Sequence, residues 1–347
     1  MEKISFSLSF CFVCLVEYMA MHVSKKFCPE RKEREDKMIF EQFKTKVCSA
    51  LKEVMGEEYE IAYKEVTKNN GVVLRGIIIA KEGSNVSPTI YIDELYDDYK
   101  EGRAFGDIIY DILCAYQRSA KEIQMDMNFF TQYAQVKKRV LYKLIHLESN
   151  RKLLEDIPYV KWNDLAIVFY YAMEEEYCGK ATILIRNSHL KMWGIDVDTL
   201  YQDAKANMTK LLPEELLPIK KIIQEFLSKN LQQEIEEDEI GLSESTSTMM
   251  YVLSNRDRIF GAASILYSEA MKELTKKLNK NLIILPSSVH EVILVPDNGT
   301  TEKSLFKDMV KEVNDTQVEP EEILSYSVYY YGTIKMFRLI LQESEYN

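Results

Sequence analysis

Residues Tyr251–Pro296 read YVLSNRDRIFGAASILYSEAMKELTKKLNKNLIILPSSVHEVILVP. Apolar alternation at 249–253 predicts a strand, NRDR a polar loop, and 260–279 an amphipathic helix. NLIIL at 281–285 and VHEVILV at 289–295 predict two further strands, separated by a Pro-Ser-Ser corner. The same stretch gathers most of the groups able to do chemistry onto well-patterned elements.

Working outward, the pattern alternates between hairpins and helices. Ile39, Phe40, Phe43, Val47, Ala50, Leu51 and Val54 fall at helical spacing. EYEIAYKEVT at 58–67 and VVLRGIIIA at 72–80 flank Asn69-Asn70-Gly71, a tight-turn signal, and predict an antiparallel pair. Helices are expected from Asp93, over 105–123, and over 196–211 behind an Asp196 or Asp198 cap. Residues 136–146 predict a strand, and 165–173 with 181–185 predict a buried hairpin around Tyr177-Cys178-Gly179. Pro213 suits the first turn of a helix running to Leu231. Past Pro296 the reading is a helix over 302–313 closed by Asn314, an extended segment 325–331 and a strand 333–341. Hairpins outnumber crossovers, so the fold class is α+β: antiparallel hairpins and a mixed sheet packed with amphipathic helices.

The chain has 347 residues, 46% hydrophobic and 29% charged, enough for a sizeable core. Four segments are expected. Residues 1–37 form a non-native or disordered leader, 38–232 an N-terminal α+β region, 233–248 an acidic linker or loop, and 249–347 a C-terminal α+β region. The leader carries an apolar run, ISFSLSFCFVCLV at 4–16, below the ~20 residues a membrane span needs. It has the outline of a signal-peptide core but lacks a clean cleavage site, which leaves export as the alternative to a start at Met38.

Composition excludes several classes. A net charge of −11 disfavours nucleic acid, whose backbone demands a positive surface. The six cysteines are scattered, as reduced thiols in a cytoplasmic protein would be. Cys11, Cys14, His22 and Cys28 have zinc-ligand residue types, but the close pair sits in an apolar run without a regular second half, so no metal or cofactor is expected.

Four histidines limit imidazole chemistry to His22, His146, His189 and His290. Ser288 and His290 stand at i and i+2 of an extended segment, on one side of it, as a hydroxyl–base pair requires. Glu291 points to the opposite face, so a third member has to come from elsewhere, with Asp257 the nearest candidate. The plainer reading is a corner in which Ser287 and Ser288 satisfy backbone groups and His290 opens a strand. Asn255, Arg256 and Arg258, before Gly261, offer guanidinium forks to a phosphate or carboxylate. Without a glycine-rich phosphate loop, helix capping by Asn255 or Asp257 with surface ion pairs is the plainer reading. The primary expectation is a non-catalytic protein that binds an unknown protein or small molecule; the alternative is a hydrolase or anion-handling enzyme built on 254–258 and 286–291.

Five segments carry a family resemblance: YVLSN at 251–255, GAASILY at 261–267, ILPSSVHEVILVP at 284–296, VKEVNDTQVEPEEILSYSVY at 310–329 and MWGIDVDTLYQDAKANMTKLLP at 192–213. Over Met38 to about Tyr331 the chain resembles an uncharacterised bacterial family, domain of unknown function 5688, typical of gut Clostridia. The resemblance implies a bacterial host and a start near Met38, and it implies no reaction, substrate or cofactor. Similar proteins carry an acidic residue where this chain has Tyr326, so a site using that acid would be missing here.

Overall fold

A computed structural model describes residues 38–83, 87–119, 127–173, 181–231, 250–286, 288–299, 303–332 and 337–340. The expected leader 1–37, the acidic stretch 233–248, the Tyr177-Cys178-Gly179 turn and Ser287 lie outside them. The described residues divide into two compact units, one drawn from Lys26–Gln132 with Met173–Thr182, the other from Tyr133–Ala172 with Ile183–Asn347.

In the smaller unit, helix α1 (Phe40–Met55) buries Phe43, Val47 and Leu51, the i, i+4, i+8 stripe of its sequence. Strands β1 (Tyr59–Thr67) and β2 (Val73–Lys81) pair antiparallel from Tyr59↔Lys81 to Thr67↔Val73. The turn between them places Asn70 at φ 58° and Gly71 at φ 72°, the left-handed pair that an Asn-Gly turn favours. β3 (Thr89–Tyr91) adds to β2. Helices α2 (Asp93–Glu101) and α3 (Phe105–Ser119) follow. Ile61, Ile77 and Ile79 of the sheet close on Ile108, Ile112 and the α1 stripe to form this unit's core.

The larger unit holds two sheets. In the first, β4 (Val140–His146), β5 (Tyr159–Trp162) and β6 (Leu165–Ala172) run in the order β4-β6-β5, with β7 (Thr182–Leu184) also beside β6. β5 and β6 make a hairpin over Asn163, at φ 54°, and Asp164. Helix α4 (Asn187–Trp193) precedes α5 (Val197–Leu211), whose first turn is capped by Asp196 accepting from the Thr199 amide at 2.8 Å.

The second sheet has the order β13-β12-β10-β11-β9-β8. Its members are β8 (Glu214–Pro218), β9 (Tyr251–Asn255), β10 (Leu282–Leu285), β11 (Val292–Pro296), β12 (Val328–Tyr331) and β13 (Phe337–Ile340). Helices α6 (Ile219–Leu231), α7 (Glu269–Leu278) and α8 (Lys303–Thr316) belong with it. β11 lies antiparallel to both β9 and β10, so the β9–α7–β10 segment is a split crossover with the later strand inserted in its gap. Ile283, Leu285, Ile293, Val295 and Val328 pack against Phe306 and Val310 of α8. Each such side chain contributes about 1.5–3 kcal/mol by leaving water.

The α+β class holds, with several corrections of detail. Every strand pair with a defined register is antiparallel, where a mixed sheet was expected. Residues 214–218 form β8 rather than the first turn of a helix, because EELLP pairs with β9 from Glu214↔Asn255 to Pro218↔Tyr251. An edge strand tolerates its closing proline. The strands on either side of the acidic stretch thus share one sheet. Residues 261–266 form a 3-10 turn, and α7 starts only at Glu269, capped by Ser268. Asn314 lies inside α8 rather than closing it. Among the described residues, no helix is long and apolar enough to cross a membrane.

The two sheets of the larger unit are joined through Asp164. Its Oδ2 accepts from Ser325 Oγ at 2.6 Å and Ser327 Oγ at 2.9 Å, and its Oδ1 from Tyr329 Oη at 2.7 Å. Ser325 and Tyr329 are buried, so removing the carboxylate strands hydroxyls that water does not reach. Asp164→Ala should cost on the order of 3 kcal/mol in urea denaturation. Asp156→Ala, which removes the exposed ion pair to Arg186, should cost at most about 1 kcal/mol.

Candidate functional site

Where β9 ends, the chain must leave the sheet without fraying it. Asn255, fully buried, organises that exit: its Nδ2 donates to Ile259 O at 2.8 Å, and its Oδ1 accepts from the Ile259 amide at 3.3 Å. The Arg258 amide donates to Asn255 O at 2.9 Å. The price is backbone strain, since Arg258 (φ 51°) and Phe260 (φ 53°) both sit in the left-handed region. Each costs roughly 1–2 kcal/mol, and such strain gathers at functional sites.

The loop lands on the other sequence-predicted segment. The Phe260 amide donates to His290 Nδ1 at 3.2 Å, and the two rings stack at 5.6 Å with 13° between planes. Tyr170 meets Phe260 edge-on at 5.4 Å, and Lys143 Nζ lies 4.2 Å from the Phe260 ring centre. Ser254 Oγ donates to His290 O at 2.8 Å, and the Ala262 amide to Val289 O at 3.3 Å. Gly261 is wedged between these strands, where a Cβ would stand 2.5 Å from His290 O and 2.7 Å from Asn255 N.

The candidates among the described residues each have a definite place. Ser288 Oγ accepts from the His290 amide at 3.0 Å, the bond of a serine turn. His290 Nδ1 is taken as an acceptor by Phe260, so in the neutral ring the proton sits on Nε2, 3.4 Å from Glu322 Oε1. Glu322 thus presents a carboxylate to the imidazole. Asp257 lies half-buried in the loop, and its charge adds to the burial that raises the Tyr170 phenol. Arg258 reaches inward, with Nε 3.3 Å from Glu215 Oε2 and Nη2 3.4 Å from Glu225 Oε2. Arg256 is exposed, its amide bonded to Pro213 O at 2.9 Å. Of the other histidines, His146 Nδ1 pairs with Ser149 Oγ and His189 Nδ1 accepts from the Arg186 amide, both local turn contacts. Among the described residues, no group of three or more His, Cys, Asp or Glu is placed to hold a metal ion.

Sequence reasoning missed Phe260, Glu322, Glu215 and Glu225, and placed Glu291 on the far face without marking its burial. Glu291 is only 6% exposed, and its pKa is pushed up to about 7. Burial is the main cause; the Glu322 charge adds to it and Arg258 opposes it. No periodicity marks a glutamate at the mouth of a strand as buried, so only the packing reveals it.

Unfolded, Glu291 releases its proton near its ordinary value of 4.5; folded, it holds the proton until about pH 7. Below pH 4.5 both states hold the proton and no charge is buried, and stability is lost as pH rises from there to about 7. Glu291→Gln should therefore gain on the wild type by on the order of 3 kcal/mol between pH 4.5 and 8, read from paired urea titrations. Gly261→Ala should lose roughly 3 kcal/mol or more and broaden the His290 ring resonances, because two of the clashing atoms, His290 O and Asn255 N, are backbone and the third is the buried Ser254 hydroxyl.

No curated protein and no solved structure matches this chain. A family model described as "Family of unknown function (DUF5688)" matches residues 40–333, which span both units and the whole loop–histidine site. The chain belongs to that family.

Proposed function

We propose that the chain is a soluble, non-catalytic binding or interaction protein of a bacterial cytoplasm. What carries the reading is how the polar groups of the loop site are engaged. Arg258 is turned onto Glu215 and Glu225, His290 stands between the Phe260 amide and Glu322, Ser288 serves the His290 amide, and Asn255 serves the loop backbone. A hydroxyl nucleophile needs its base free to take a proton, and the Nδ1 lone pair of this imidazole is already used. The loop presents Arg256 outward on a strained, rigidly held turn, a suitable platform for recognition. Asn255 and Arg258 hold that platform in place.

The partner is a protein or small molecule rather than nucleic acid, in keeping with a net charge of −11. Scattered cysteines favour a reducing compartment. Ligand binding to the native state raises its stability, by about 2.7 kcal/mol at a hundredfold excess over Kd. At least one fractionated bacterial lysate should therefore raise the melting temperature of the full chain saturably. A broad panel of chromogenic ester, phosphoester and glycoside substrates should show no turnover. Turnover by the wild type that disappears in Ser288→Ala or His290→Gln would overturn the reading in favour of a hydrolase.

A further inference from the structure

The smaller unit leaves a long strand edge open. β1 spans nine residues at one side of the β1-β2-β3 sheet. At its two ends the Glu82 amide donates to Glu58 O at 3.0 Å and the Lys68 amide to Val72 O at 2.7 Å, both in step with the Tyr59↔Lys81 register. Antiparallel ladders alternate, so Glu60, Ala62, Lys64 and Val66 bond to β2, while Ile61, Tyr63, Glu65 and Thr67 turn their N–H and C=O outward. Among the described residues, none of those outward backbone groups has a hydrogen bond. The Tyr59 amide, next in the series, is occupied by Gly56 O at 3.3 Å. Folded proteins block such an edge with a short strand, a proline, a bulge or a charge. β1 is long, has no proline, and keeps an unbroken register against β2 from Tyr59 to Thr67, so it has no bulge. Charge is the remaining safeguard, and here it is arranged to attract.

Tyr59, Ile61 and Tyr63 take the core face of β1, and Glu60 and Lys64 stand exposed on the other. Their neighbours on β2 are Ala80 and Gly76, and among the described residues neither charge has an ion pair. We propose that this edge pairs with β1 of a second copy of the chain, antiparallel about a two-fold axis at Ala62, so that Glu60 of each copy faces Lys64 of the other. In that register Ile61 and Tyr63 exchange backbone bonds across the axis, and the Glu65 amide reaches Tyr59 O of the second copy. Glu60 and Lys64 fall at a non-hydrogen-bonded pair, where side chains approach most closely. Neighbouring symmetric registers lose this match. Centred on Tyr63, Glu60 faces Val66 and Lys64 faces Ala62; centred on Lys64, the two lysines meet; centred on Ile61, Glu57 meets Glu65. Self-complementarity of one patch is what a two-fold dimer requires. The inference goes beyond the binding reading and does not rest on the loop site, which lies in the larger unit.

The test is sedimentation velocity of the full chain from about 5 to 500 µM, a span that covers the weak association of small interfaces. The wild type should pass from monomer to dimer with rising concentration. Lys64→Glu, which sets Glu60 against a like charge twice per dimer, should weaken the dimer at least about tenfold. The double variant Glu60→Lys with Lys64→Glu keeps the net charge and restores both pairs, so it should return to within about threefold of the wild type. Both positions are exposed, and unchanged urea midpoints confirm that the fold is kept. A covalent readout fixes the register. Ala62 meets its own copy at about 4.5 Å between Cα atoms, within disulfide reach, so Ala62→Cys should form a dimer linked at residue 62 under mild oxidation, mapped by mass spectrometry. Val66→Cys, about 27 Å from its own copy in this register, should not. A wild type that stays monomeric throughout leaves the edge to another chain or to none and overturns the proposal. So does a dimer indifferent to Lys64→Glu, a double variant no better than the single one, or a link through residue 66 as ready as one through 62. Such a failure leaves the binding reading to the lysate and turnover measurements, which do not depend on β1.

Discussion

One carboxylate carries much of the larger unit's architecture. Asp164 sits on the turn of the β5–β6 hairpin and receives hydroxyls from Ser325, Ser327 and Tyr329. Two of those hydroxyls come from buried residues, which would pay for desolvation if left unpaired. The arrangement fixes the approach to β12 against the first sheet, and Trp162 packs on Tyr329 at 5.6 Å beside it. Apolar burial supplies most of the stability, but it is not directional. A charge-assisted cluster with defined geometry sets the register in which that burial occurs.

The loop–histidine site follows from the same economy. Inserting β11 between β9 and β10 forces the chain leaving β9 to pass over the mouth of β11. The exit loop has to be short and close, hence the left-handed Arg258 and Phe260 and the glycine at 261. Once there, the loop's donors meet His290, and Arg258 lies between Glu215 on β8 and Glu225 on α6. Glu291 is buried in the process, at a cost in solvation that raises its pKa. Such a site is held by bonds within the fold, from Asn255 to the loop backbone and from Arg258 to Glu215 and Glu225.

Local signals were legible wherever a short stretch decided its own structure. Asn70-Gly71 specified the first hairpin, and Asp196 specified the start of α5, because both act through the backbone of their own neighbours. Signals failed where a neighbour distant in sequence decided. EELLP looks equally suited to a helix start, and only pairing with β9, across the acidic stretch, makes it a strand. Asn314 resembles a helix stop, yet its amide is engaged by Ser325 O and the helix runs on to Thr316. At the candidate site, Ser288 and His290 were recognised as a pair of residue types. Their actual partners, Phe260, Glu322 and a main-chain amide, carry no mark in the sequence.

By itself the sequence determined the α+β class, the apolar faces of its helices and strands, and membership in a family through its ordered segments. These depend on periodicity and local turn chemistry, which a linear string records in full. Tertiary structure alone decided that the 254–258 and 286–291 segments meet, that Arg258 turns inward, and that Glu291 loses its water. The reason is physical: hydrogen bonds and desolvation act between atoms a few ångströms apart, and chain topology, not spacing along the chain, brings those atoms together.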